Sequence, residues 1–335
     1  MQSNKPHNQS ATLIEQMPQE IQEALKQFEE AYLGSIRSIA PTIVKATELL
    51  SRQTAKQVRP LLLLLTANCF GPITEEVIKG STFIELLHVS SLVHDDVVDE
   101  SGHRRGVPSM NAVFGNHKAV LIGDYLLANA MMQAVHTNNK QILLQLATLG
   151  KNLSEGELLQ MDTAELGEHS EERYLEIIDR KTASLIESSM MVGALLAKVS
   201  DAETLQKIEQ AGQLLGRAFQ IRDDIFDYQP TAQLGKPSGQ DIAEHKVTLP
   251  LIHALQQESK ERDKVLKLLR HEELRRGEIA YIIDFAIRMG GIEYAGKRME
   301  EMIDEAKSLL VAGLPPCESR DGLIMVADYI ATREK

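Results

Sequence analysis

The stretch Phe83-Ile84-Glu85-Leu86-Leu87-His88-Val89-Ser90-Ser91-Leu92-Val93-His94-Asp95-Asp96-Val97-Val98-Asp99 decides how this chain folds. A helix turns about 100° per residue. With His88 set at zero, Asp95 falls at about −20° and Asp99 at about +20°, so the three share one face. Leu86, Leu87, Val93, Val97 and Val98 occupy the other faces. A helix that is apolar on several sides is a buried helix. Carboxylates facing inward from it would repel each other and resist ionisation unless a cation joined them. Oxygen donors at i and i+4 suit a hard cation such as Mg2+, which keeps water and also takes phosphate oxygens. His88 stays open between two readings, a ligand on the aspartate face and a satisfied core histidine.

Helical periodicity continues on both sides. Gln19 to Leu33 places Ile21, Leu25 and Phe28 four and three apart. Pro60 opens an apolar helix to Phe70, closed by Gly71-Pro72. Thr74 to Glu100 reads as one long helix or two short ones, and Gly102 to Pro108 as a loop. Further helices are expected over Lys118–His136, Gln141–Glu165, Ser170–Val199, Ala202–Tyr228, Thr248–Gln257, Arg262–Leu269 and Ile279–Ala312. Gln229–Lys246 and Ala312–Gly322 read as loops, the first placed to act as a lid. No run alternates β-branched residues with a period of two. The expectation is an all-α fold in one domain over 18–335, behind a loose polar tail at 1–17.

Composition narrows the function. Of 335 residues, 36 are Lys or Arg and 48 Asp or Glu, a net charge of −12. That balance argues against general nucleic-acid binding, which leaves a basic footprint. An anionic substrate must therefore meet local positive charge or a metal. Cys69 and Cys317 are too few for a disulfide framework or a zinc site and read as free thiols in a reducing, cytoplasmic compartment. No run approaches the ~18 apolar residues of a spanning helix.

A second acidic helix repeats the first. In Gln220-Ile221-Arg222-Asp223-Asp224-Ile225-Phe226-Asp227, the three aspartates lie within an arc of about 100°. Two such helices read as two metal-binding walls around one diphosphate. Basic residues cluster beside them. Lys56 and Arg59 precede Pro60 at a helix start, Arg104 and Arg105 follow the first motif, Lys181 precedes Thr182, and Lys246 lies near Thr248. Taken singly each is an ordinary surface charge.

Together these residues resemble the all-trans isoprenyl diphosphate synthases. The resemblance runs from about Lys56 to Lys246, with a weaker echo at Tyr329 and Arg333. It rests on Lys56-Gln57-Val58-Arg59-Pro60, Glu85-Leu86-Leu87-His88, and the first aspartate motif with Arg104-Arg105-Gly106. It continues through Gly123-Asp124-Tyr125-Leu126, Glu155-Gly156-Glu157, Lys181-Thr182-Ala183, Phe219-Gln220-Ile221-Arg222-Asp223-Asp224 and Lys246-Val247-Thr248-Leu249-Pro250. The resemblance implies a homodimeric helical bundle whose two motifs face each other across a central cavity. By position, Lys56, Arg59, His88 and Arg105 would hold the diphosphate of isopentenyl diphosphate. Arg104, Lys181 and Lys246 would hold an allylic diphosphate, farnesyl or geranyl, with Thr182 and Gln220 nearby. Asp95, Asp99 and Asp223 would ligate Mg2+ directly, and Asp96, Asp224 and Asp227 would act behind them or through water. Two positions depart from the family. Thr54-Ala55-Lys56-Gln57 replaces the usual Gly-Gly-Lys-Arg, and His245 stands where glycine is usual; both bear on substrate affinity.

Two rivals are weaker. A class I terpene cyclase would pair its first motif with an Asn/Ser/Glu motif and line its cavity with aromatics, whereas this chain has no Trp. A non-catalytic subunit would lose one motif, and both are intact.

Product length follows from the same helix. A growing chain would run down past Ser91, one turn or about 6 Å below Asp95, with Ser90 beside it. Short-chain members of the family place an aromatic residue there. Two serines leave the way open, with Ile84 deeper and Leu143 and Leu146 as candidates for the floor. A medium or long product is expected, octaprenyl first, and an apolar product of that length implies transient membrane contact. Ser91→Phe should shorten the product, read by sizing the dephosphorylated polyprenols; an unchanged length would overturn the tunnel assignment.

Overall fold

The computed structural model describes residues 9–52, 57–104, 107–229, 239–271 and 273–333. Lys56, Arg105 and most of the expected loop after Gln229 lie outside the described residues. The fold is all-α, as expected. Its helices in chain order are α1 (Gln9–Glu15), α2 (Gln19–Ser35), α3 (Pro41–Arg52), α4 (Val58–Asn68), α5 (Glu75–Val98), α6 (Met110–Phe114), α7 (Asn116–His136), α8 (Lys140–Leu166) and α9 (Glu171–Ile178). A π-helical turn, Asp179–Ala183, leads directly into α10 (Ser184–Leu196). Then come α11 (Ala202–Asp227), α12 (Gln240–Ala243), α13 (Leu249–Gln256), α14 (Arg262–Leu268), α15 (Arg276–Arg288), α16 (Gly291–Gly313) and α17 (Glu318–Thr332).

Local chemistry sets several boundaries. Thr74 caps α5, its side-chain oxygen accepting the Val77 N–H at 3.4 Å, and Glu75 and Glu76 follow in the first turn, where the helix dipole favours negative charge. Ser170 caps α9 in the same way through Arg173 N at 3.1 Å. Gly290, at φ 75°, ends α15, so the helix expected over Ile279–Ala312 is two helices.

Four other expectations are corrected. The polar tail holds α1, and Leu13 and Met17 nearby are buried, 7% and 3% exposed. The loop at Gly102–Pro108 contains a minimal antiparallel pair, β1 (His103–Arg104) with β2 (Val107–Pro108). The stretch Pro41–Arg52, given no helix in the expectation, forms α3. The loop expected to reach Gly322 is shorter, because α17 starts at Glu318 just after Pro315 and Pro316.

The chain divides into two units. The first comprises residues 1–150, 185–212 and 309–326, and the second 151–184, 213–308 and 327–335. In the first, α5 packs against α7, α4 and α2. Leu61 to Leu65 of α4 are all at most 1% exposed, so this short helix is buried on every side. Close approach depends on glycine. A Cβ on Gly80 would meet Leu196 Cδ1 at 2.5 Å, and one on Gly193 would run into the Leu63 carbonyl oxygen. Ser319 Oγ donates to Asn68 Oδ1 at 2.6 Å, tying the start of α17 to the end of α4. Cys69 and Cys317 are both free. In the second unit, Tyr228, Ile242, Leu251, Leu255, Val265, Ile282 and Phe285 form one buried cluster.

Two glycine substitutions should act with opposite signs. Gly193→Val should destabilise by about 1–3 kcal/mol, because the side chain meets backbone that cannot yield. Gly296→Ala, with nothing within 4 Å of its Cβ in the interior of α16, should stabilise by about 0.5–1 kcal/mol. Denaturant unfolding of the full chain measures both.

Candidate functional site

In the first unit the end of α5 carries the first motif. The buried carboxylate is Asp96, 3% exposed; Asp95 is half-buried and Asp99 is exposed. Of the expected inward face of His88, Asp95 and Asp99, His88 is buried, Asp95 is half-buried and Asp99 is not buried. A cavity of about 260 Å3 is lined by Tyr32, Glu85, His88, Leu92, Asp96 and Arg104, among others. These α5 positions recur at three- and four-residue steps and define one stripe, while Asp99 lies just past the last helical residue. Arg104 reaches back from β1 and places Nε and Nη2 each 2.7 Å from Asp96 Oδ1. Burial pushes the Asp96 carboxyl up, and the Arg104 guanidinium opposes that shift. Asn111 Nδ2 donates to the Asp96 carbonyl at 2.9 Å, so α6 also holds this corner.

Other residues singled out in this unit are placed as follows. His88 is buried at 6% exposure and Arg59 is half-buried. Ser90 Oγ donates to the Gly123 carbonyl of α7, and Ser91 Oγ to the His88 carbonyl, each at 2.9 Å. Ile84 is fully buried and Leu146 nearly so, whereas Leu143 is 38% exposed.

In the second unit, α11 carries the second motif, and its three aspartates have three different surroundings. Asp223 has a side chain 40% exposed and accepts from Arg333 Nη2 at 2.7 Å. Arg333, 3% exposed, stacks 4.0 Å over the Phe219 ring, and its carbonyl accepts from Arg222. Asp224 is 2% exposed, and both its oxygens take a neutral donor: Tyr174 Oη at 2.6 Å and Gln220 Nε2 at 2.7 Å. Thr182 Oγ1 donates in turn to Gln220 Oε1 at 2.7 Å. Burial pushes the Asp224 carboxyl well above the ordinary range, and the neighbouring Asp241 adds to that. Asp227 accepts the backbone N–H groups of Gln240 and Asp241 at 3.1 and 3.0 Å.

The basic side chains of this unit rest on a strained frame. Lys181 and Thr182 sit on the π-helical turn, a geometry found most often where function demands it. Arg217 of α11 clamps that turn through both oxygens of Asp179 at 2.6 Å. Lys181 Nζ pairs with Glu157 Oε2 at 2.5 Å. His245, where the family has glycine, adopts φ 58°, in the left-handed region. Lys181, Thr182, Gln220, Asp224, Asp241 and Lys246 line a cavity of about 170 Å3. Sequence reasoning missed Tyr174, Glu157 as the lysine's partner, Asp241 and the Arg217 clamp. Glu157 lies in a quoted motif; the others carry no local signal.

Whether a divalent cation suits these residues can be judged from the donors. Asp95, Asp99 and Asp223 offer hard carboxylate oxygens with access to solvent, the donor type Mg2+ takes. Among the described residues no three His, Cys, Asp or Glu side chains form a preassembled metal cluster.

Comparisons with known proteins bear on the family. The polyprenyl synthetase family model matches residues 40–286. The chain is 32% identical over 304 residues to an octaprenyl diphosphate synthase of Haemophilus influenzae, covering 90% of this chain and 92% of that one. It is also 32% identical over 326 residues to a short chain isoprenyl diphosphate synthase of Methanothermobacter thermautotrophicus, covering 94% and 99%. Among solved structures, a decaprenyl diphosphate synthase from Rhodobacter capsulatus superposes with a TM-score of 0.88 at 30% identity, over 97% of this chain and 98% of that one. A polyprenyl synthase from Caulobacter crescentus, solved with calcium and isoprenyl diphosphate, gives 0.88 at 29% identity, over 96% and 98%. The chain belongs to the polyprenyl synthetase family and is a prenyltransferase of the trans-polyprenyl diphosphate synthase class.

Proposed function

We propose that this chain condenses an allylic diphosphate, farnesyl or geranyl, with successive isopentenyl diphosphates to give a medium or long all-trans polyprenyl diphosphate, octaprenyl first. The observation that carries the reading is the cavity where Lys181 and Lys246 meet the second aspartate motif. Two ammonium groups in a partly desolvated pocket suit a diphosphate, whose charge grows as the allylic C–O bond breaks. Lys181, Lys246 and Arg104 hold that diphosphate, with Thr182 and Gln220 nearby. Arg59 and His88, with Lys56 and Arg105, hold the diphosphate of isopentenyl diphosphate. Asp95, Asp99 and Asp223 would hold a divalent cation, Mg2+ in this reading, which when bound neutralises leaving-group charge as a Lewis acid. The allylic C–O bond breaks with its electron pair leaving on diphosphate, the π electrons of isopentenyl diphosphate form the new C–C bond, and the released diphosphate takes the proton. No protein nucleophile is needed.

The relatives' names span short, octaprenyl and decaprenyl products, so length is decided by this chain's own residues. Small side chains at Ser90 and Ser91 support a long product. Exposed apolar residues of the first unit support a homodimer through α7 and the start of α8: Leu121 65%, Met132 52%, Val135 56% and Leu144 67% exposed. Among the described residues no helix is long and apolar enough to cross a membrane. A cytoplasmic enzyme that touches membrane only to release its product fits that chemistry.

Incubation with farnesyl diphosphate, labelled isopentenyl diphosphate and Mg2+ should give an EDTA-sensitive ladder ending near octaprenol. A stop at geranylgeraniol would keep the chemistry and sink the long-product reading, and no elongation would overturn the function. Lys181→Ala should lower kcat by about a hundredfold or more.

A further inference from the structure

The third aspartate of the second motif faces backbone rather than the cavity. Asp227 is 6% exposed. Its Oδ1 accepts from Gln240 N at 3.1 Å and its Oδ2 from Asp241 N at 3.0 Å. Its own carbonyl accepts from Gly239 N at 2.9 Å. The last residue of α11 thus grips three consecutive N–H groups at the start of α12. Each oxygen of this carboxylate accepts one backbone amide, and turning it outward toward a cation would leave both donors unpaired.

What Asp227 grips is the base of a short rigid turn. Gly239, at φ 87°, is pressed against α15, where a Cβ would meet Ile283 Cδ1 at 2.9 Å and collide with Ile279. Ile242 is 1% exposed within the buried cluster of this unit. The turn closes as Lys246 N donates to the Asp241 carbonyl at 2.8 Å. His245 holds φ 58° within it. A non-glycine residue persists there only where its surroundings over-determine it. Anchors at Gly239, Ile242 and Asp227 supply that constraint, and Lys246 leaves the turn to line the cavity, its Nζ paired with Glu244 Oε2 at 2.7 Å.

We propose that Asp227 is a positioning residue, whose carboxylate clamps α12 and so sets Lys246, and that it is not a ligand of the divalent cation. This goes beyond the proposed function and rests on it only for the role of Lys246.

The test compares Asp227→Asn, Asp227→Ala and Asp223→Asn in the full chain. Hydrogen–deuterium exchange of the segment 239–247 requires no substrate. Mg2+ dependence is read from the thermal shift given by inorganic diphosphate. Asp227→Ala should speed exchange at Gln240 and Asp241 by about tenfold or more, from loss of charge-assisted hydrogen bonds. Asp227→Asn keeps one acceptor and should fall between, which covers the case that the alanine variant does not fold. Both should leave the Mg2+ half-saturation within about twofold while KM for the allylic diphosphate rises, as expected when a binding lysine is displaced. Asp223→Asn should do the reverse, weakening Mg2+ dependence with exchange unchanged. A tenfold Mg2+ shift in the Asp227 variants, or unchanged exchange, overturns the proposal. Absence of any prenyl transfer by the wild-type chain would instead overturn the function and leave the exchange result standing.

Discussion

A carboxylate removed from water must be met by donors, and the functional half of each unit is arranged around that demand. Asp96 and Asp224 are 3% and 2% exposed. Asp96 answers burial with a cation, Arg104, brought back by the short hairpin after α5. Asp224 answers it with neutral donors, Tyr174 and Gln220, and its carboxyl stays far above the ordinary range. The difference matters. At Asp96 a cation opposes the effect of burial, whereas at Asp224 burial and the neighbouring Asp241 outweigh two neutral donors and favour the protonated carboxyl.

The same demand sorts the three aspartates of α11. Asp224 fastens Tyr174 of α9 and, through Gln220, Thr182 of the π-helical turn. Asp227 fastens α12. Only Asp223 has a side chain with substantial access to solvent, and Arg333 steadies it while stacking on Phe219. Asp224 and Asp227 each have both oxygens hydrogen-bonded within the fold, while Asp223 keeps a side chain 40% exposed. The irregular backbone of the π-helical turn is braced by the Arg217–Asp179 fork and by Gly216, where any side chain would strike Ala183.

Much of the fold was legible from periodicity. The helices that carry both motifs appear close to their expected limits, because an apolar stripe at three- and four-residue steps has few other solutions. Where reading failed, the stripe was short or a turn residue was overlooked. Helix α1 is seven residues long, and α15 parts from α16 at one glycine with positive φ. Of the residues that the family resemblance groups at one diphosphate, Lys181, Thr182, Gln220 and Lys246 line one cavity, while Arg104 lines the cavity of the first unit. The orientation of the first motif was not legible, since Asp96 rather than Asp95 and Asp99 is the buried carboxylate.

The sequence by itself determined that this is a helical protein with two aspartate-rich helix ends and basic residues beside them. Helical geometry sets angles about an axis, and composition sets the charge to be managed. Neither says which side of a helix meets its neighbours or which donors arrive there. Those donors come from far along the chain: Tyr174 is 50 residues from Asp224, and Arg333 is 110 from Asp223. Only tertiary structure could decide which carboxylates are buried and hydrogen-bonded and which keep access to solvent, because that depends on the polar groups that packing brings within about 3 Å of each oxygen.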